Sequence, residues 1–144
     1  MQLYLGSNVP KYMEEFIHFA MDHLGLNKLR GNLHFTLARA NLEEESFGLC
    51  WGDRSEVEMH IASRQWGSPV SREDKLKTIA HEMTHAHQYF VGHLIPGEQE
   101  DFESVWLGEK IPYDPENEHL TPWELEASEV ENRIYERWLN RRKK

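Results

Sequence analysis

The stretch Thr78-Ile79-Ala80-His81-Glu82-Met83-Thr84-His85-Ala86-His87-Gln88 constrains this chain more than any other. It contains the pattern H-E-x-x-H inside a run with helical periodicity. A spacing of four places His81 and His85 one turn apart on one helical face, where two imidazoles can hold a single metal ion. Glu82 lies about 100° further round the helix, near enough to handle a water at that ion without being a ligand. The register separates two faces. Leu76, Ile79, Ala80, Met83, Ala86 and Phe90 form a core stripe, whereas His81, His85 and Gln88 line the other side with Thr78. His87 projects with the core stripe and reads as a structural histidine. The helix should start at a Ser71 cap followed by Glu73 and Asp74, and stop near Val91, before Gly92.

The elements around this helix predict an α+β domain. Pro10 introduces an amphipathic helix carrying Tyr12, Met13, Phe16, Ile17, Ala20 and Leu24, with Gly25 placed to end it. Residues up to Val9 read as a short strand or a lead-in. Three strand candidates follow, 33–39, 46–51 and 56–62, with Gly52-Asp53-Arg54-Ser55 as a hairpin turn between the last two. An antiparallel sheet is therefore expected just before the H-E-x-x-H helix. The alternation puts Val57, Met59 and Ile61 on one face and Glu58 and His60 on the other. Further on, a hairpin around Gly108 is favoured over a helix across 98–106, and 113–120 reads as a loop. Thr121-Pro122-Trp123-Glu124 is a capping-box signature, opening a helix with Leu125, Ala127, Val130, Ile134, Tyr135, Trp138 and Leu139 on its apolar side.

Bulk properties narrow the class. At 144 residues one domain spanning 1–144 is expected, large enough for a sizeable core. The net charge of −9 disfavours binding to nucleic acid through phosphate neutralisation, and the basic tail Arg141–Lys144 reads as a solvated helix end. Cys50 is the sole cysteine, which excludes an internal disulfide and a cysteine-based zinc cluster and favours a reducing, cytoplasmic setting. No apolar run reaches membrane-spanning length, and Met1–Gly6 does not read as a signal peptide. A monomer is expected.

A catalytic zinc takes three protein ligands and keeps one position open. His93, Glu98, Glu100, His119, Glu124, Glu126 and Glu129 are all available as the third. His93 does not complete the longer H-E-x-x-H-x-x-G-x-x-H arrangement, since Gln88 and Val91 stand at its glycine and histidine positions. Glu124 is expected to be used in capping. Glu126 and Glu129 lie in the first turns of the last helix, either as ligand or as outer partner to a histidine.

The pair of motifs, His81-Glu82-x-x-His85 and the later Pro122-Trp123-Glu124-Leu125-Glu126-Ala127, resembles the small zincin-type metallopeptidases of phage and bacteria, in particular the SprT-like and ImmA/IrrE-like groups. That resemblance implies a minimal core of a helix, a small antiparallel-rich sheet, the H-E-x-x-H helix and a ligand-bearing helix. In gluzincin-type members a Glu followed by Ala supplies the third ligand, which corresponds to Glu126. The implied activity is hydrolysis of a peptide or protein substrate with one zinc ion held by His81, His85 and Glu126, and with Glu82 accepting the proton of the zinc-bound water. Tyr113, His119 and His93 are the nearest oxyanion donors, and substrate is expected as an added strand along an edge such as Glu56–Ala62. The competing expectation is a non-enzymatic interaction protein whose metal only braces the fold.

Overall fold

The computed structural model describes residues 1–39, 47–97, 104–112 and 114–141. Expectations that fall on Ser46, Glu98, Glu100, Phe102, Glu103, Tyr113 and 142–144 lie outside the described residues. The chain begins with β1 (Gln2–Leu5), then α1 (Lys11–His23), whose buried face is Met13, Phe16, Ile17, Ala20 and Met21. Pro10 sits at the cap rather than inside the first turn. Gly25, at φ 71°, takes the left-handed conformation that lets the chain leave the helix.

β2 (Asn32–Ala38), β3 (Gly48–Gly52) and β4 (Glu56–Ala62) complete a four-stranded sheet in the order β1-β2-β4-β3. The α+β class holds, but this sheet is mixed: β1–β2 and β2–β4 are parallel, and only β3–β4 is antiparallel. The hairpin between β3 and β4 was legible. The Asp53 carboxylate accepts from Ser55 N and Glu56 N at 2.8 and 2.9 Å, fixing that turn. The central position went to β4 because Val57, Met59 and Ile61 are fully buried, whereas β3 carries the half-exposed Trp51 and takes the edge. Glu56–Ala62 is therefore paired on both sides and cannot receive a substrate strand; among the described strands that edge belongs to β3.

β5 (Arg64–Gln65) and β6 (Ser68–Pro69) form a small hairpin leading into α2 (Arg72–Phe90). Ser71 caps α2, its hydroxyl accepting from Asp74 N at 3.1 Å. The predicted core stripe is buried throughout, from Leu76 to Phe90. It joins α1, the inner face of the sheet, and Ile134 and Trp138 of α3 (Pro122–Asn140) in one apolar cluster. Trp138 closes the cluster edge-on to Phe16, with ring centres 5.2 Å apart.

Between α2 and α3, β7 (Leu94–Ile95), β8 (Ser104–Trp106) and β9 (Glu109–Ile111) make a second antiparallel sheet. Its hairpin turns at Leu107 and Gly108, both at positive φ, as the glycine predicted. Pro115–Leu120, expected as plain loop, instead winds into 3-10 turns behind an Asp114 side chain that accepts from Glu116 N. The capping box at Thr121 does not form: Thr121 Oγ1 donates to Glu118 O, and α3 has no side-chain cap. Among the described residues no helix is long and apolar enough to cross a membrane.

Candidate metal centre

α2 turns His81, Glu82 and His85 to the side away from the main core, and each presents a ligand atom within 4.8 Å of the others. The two imidazoles stand nearly perpendicular, their centres 4.9 Å apart. Facing them is the Glu124 carboxylate, with Oε1 2.6 Å from His85 Nε2 and Oε2 3.1 Å from His81 Nε2. Glu124 holds the position that sequence alone gave to the cap of α3. A capping interaction contributes about 1 kcal/mol, while a hydrogen bond to a charged partner contributes about 1.5–3 kcal/mol. Glu124 makes two such bonds, so the histidines win.

The opposite edges of both rings are also held. His81 Nδ1 lies 2.8 Å from Glu131 Oε1, and His85 Nδ1 donates to Gln88 Oε1 at 2.7 Å. The amide of Gln88 can be oriented only one way. Its nitrogen donates to Trp123 O at 3.0 Å and to Glu126 Oε1 at 3.1 Å, which leaves the oxygen to face His85. With Nδ1 carrying a proton in each ring, both Nε2 atoms are directed at the same place.

Charge follows from this geometry. Burial pulls the His81 pKa down, but the Glu124 and Glu131 carboxylates outweigh it and push the group up to about 10. Burial acts upward on Glu124, and its two histidine partners overcome that, taking it down to about 2. His85 is raised against its own burial, mainly by Glu124. Glu82, 8% exposed, has no such rescue: burial lifts it above the usual carboxylate range, with His85 and His81 opposing. Both histidine shifts run towards the charged imidazole, because carboxylates face each ring.

Other residues expected near the site are scattered. Glu126 is spent on Gln88, and Glu129 pairs with Arg133 at the surface. His93 packs edge-on against His87 and Trp106 and, with Glu126 and Glu129, lines a separate cavity. His119 does line the cleft above the histidines, a cavity of about 580 Å³ also walled by Gly48, Cys50, Tyr89 and Trp123. Burial keeps the Cys50 thiol and the Tyr89 phenol protonated. Glu131 and Tyr89 had not been singled out. Spacing could have revealed both, since Tyr89 is four residues past His85 and Glu131 seven past Glu124, each on the same helical face.

The residues thus define a His-His-carboxylate cluster with a buried glutamate beside it, set in a cleft on a mixed α+β fold. No family model matches the sequence, and no curated protein is similar to it. Among solved structures the fold is similar to one described as the crystal structure of a Wss1 mutant from Saccharomyces cerevisiae. Identity is 11% and the TM-score 0.46, over 99% of this chain and 93% of that one. A likeness at that level carries no weight about function, which is read from the site.

Proposed function

We propose that this chain is a zinc-dependent metallopeptidase. The observation that carries the proposal is the convergence of His81 Nε2, His85 Nε2 and the Glu124 carboxylate on one point in an open cleft, next to the buried Glu82. Two imidazoles and a carboxylate, each imidazole with an outer partner, suit zinc better than magnesium or calcium, which prefer oxygen alone. The ligand set proposed is therefore His81, His85 and Glu124, in place of the Glu126 that the family resemblance implied.

Bound there, zinc supplies Lewis acidity that brings the pKa of water towards neutrality and polarises a substrate carbonyl. The chain's own groups do the rest. Glu82, with its carboxylate raised by burial, accepts a proton from the attacking water and delivers it to the departing amine. Glu131 and Gln88 keep the two rings in the tautomer whose Nε2 is available. Tyr89 and His119, on the cleft wall, offer the O–H and N–H that a developing oxyanion needs. The edge strand β3 is where a substrate backbone pairs.

Glu82→Gln is the direct test. It should bind zinc as the parent does and lose at least ~1000-fold in peptide hydrolysis, reflecting loss of the base. Cleavage at the parental rate by the zinc-loaded variant would sink the assignment.

A further inference from the structure

We propose that the outer face of the four-stranded sheet docks an arginine- or lysine-bearing segment of another polypeptide. The proposal is independent of the peptidase reading, because this face lies across the sheet from α2 and its histidines.

α1, α2 and α3 all pack on the face that carries Leu33, Phe35, Val57, Met59 and Ile61. Parallel strands, such as β1, β2 and β4 here, ordinarily have both faces covered. The alternate residues of these strands and of β3 instead stay open. Tyr4 is 51% exposed and Trp51 46%, and the side chains of Glu56 and Glu58 are 54% and 42% exposed. Register lines several of them up. Tyr4 stands opposite His34, His34 opposite Glu58, and Glu58 opposite Trp51, a single row across all four strands. Imidazoles brace the two aromatic ends: Tyr4 stacks on His34 at 4.9 Å with 11° between the planes, and Trp51 leans on His60 at 4.9 Å.

Charge decides what such a row can take. None of β1 to β4 carries a lysine or arginine. Asn32 and His34 bond to the Glu56 carboxylate at 2.6 and 2.9 Å and hold it below the usual carboxylate range, so it stays ionised. Glu58 lies 3.6 Å from His60 Nε2. The face therefore offers an aromatic ring at each end and carboxylates between them. A guanidinium or ammonium satisfies both, lying over a ring and pairing with a carboxylate. A phosphate backbone would meet negative charge with no cation in the strands to receive it. Spacing fits an extended segment. Strands about 4.8 Å apart put the positions of Tyr4 and Trp51 roughly 14 Å apart. Side chains on one face of an extended chain recur about every 6.7 Å, so residues i and i+4 reach the two rings while i+2 lies over Glu58.

The test titrates the zinc-loaded Glu82→Gln chain, which leaves the probe uncut, with a blocked peptide of alternating arginine and serine, followed by calorimetry. Binding at low salt is expected. Trp51→Ala should weaken it by about threefold or more, and Trp51→Phe, which keeps a ring, by less. Glu56→Gln/Glu58→Gln should weaken it by roughly tenfold. Glu14→Gln/Glu15→Gln, which removes the same charge from the exposed side of α1, should leave the affinity unchanged. In the chain with its sheet face intact, bound peptide should shield Glu56 and Glu58, but not Glu14 and Glu15, from carbodiimide labelling. Absence of binding, equal losses in the two glutamine pairs, or labelling that the peptide does not alter would overturn the proposal. So would tighter binding of a neutral glucan oligomer or of single-stranded DNA to the same face.

Discussion

At the scale of single residues, the decisive competition is between Glu124 and Glu126, two positions apart on α3. They point in different directions because 200° separates them on a helix at about 100° per residue. Glu124 reaches both Nε2 atoms, whereas Glu126 reaches only the amide of Gln88. Replacing each by alanine should therefore have unequal effects on zinc affinity, measured by competition with a chelator. Losing an outer partner typically costs about 10–100-fold. Glu126→Ala should fall at or below the lower end, since Gln88 retains Trp123 O as acceptor, and Glu124→Ala should lose well over 100-fold, as removal of a ligand requires. The reverse order would restore Glu126 as the third ligand. Sequence could not settle this, because the Thr121-Pro122-Trp123-Glu124 tetrad is locally a complete capping signal. The partner that overrides it, His81, is 43 residues away.

At the scale of elements, the helices were legible and the sheet order was not. α2 came out within a residue of its predicted limits because its cap, its acidic first turn and Gly92 are all local signals. The pairing of β4 with β2 depends on which strand buries the most, a comparison across the whole sheet that no window contains. A meeting of α2 and α3 was expected through Glu126; in the structure Glu124 makes it, and it is electrostatic where it meets the site. His81 of α2 is raised from 6.5 to about 10 and Glu124 of α3 lowered from 4.5 to about 2. A raised histidine contributes stability that is complete below its unfolded pKa and lost as pH climbs through the folded value. A lowered carboxylate contributes above its unfolded pKa and loses it as pH drops through the folded value. In metal-free protein the bond between the helices should thus be worth most from about pH 4.5 to 6.5. Urea midpoints of the chelated parent and Glu124→Gln, compared across pH, should differ most in that window and converge at alkaline pH. A difference that grew with alkalinity would contradict the arrangement.

For the molecule as a whole, the question is whether metal builds the fold or merely uses it. The apolar cluster draws on α1, the sheet, α2 and α3, and its members from Met13 to Trp138 are buried without help from the histidines. A chain of 144 residues buries most of the surface that its unfolded form exposes, unlike the small zinc modules that collapse only around their ion. Among the described residues, moreover, two imidazoles and one carboxylate converge on the site, whereas a bracing site would be closed by a fourth protein ligand. Chelation should therefore leave a folded protein that still unfolds cooperatively. A ligand present at 100 to 1,000 times its dissociation constant adds about 3–4 kcal/mol, which at this size corresponds to a fall in Tm of roughly 10 °C on removal. Scanning calorimetry with and without chelator measures it, with far-ultraviolet circular dichroism to confirm that helix is retained. Loss of the transition, with helix content collapsing at room temperature, would show the metal to be a structural brace and remove the reason for regarding Glu82 as a base.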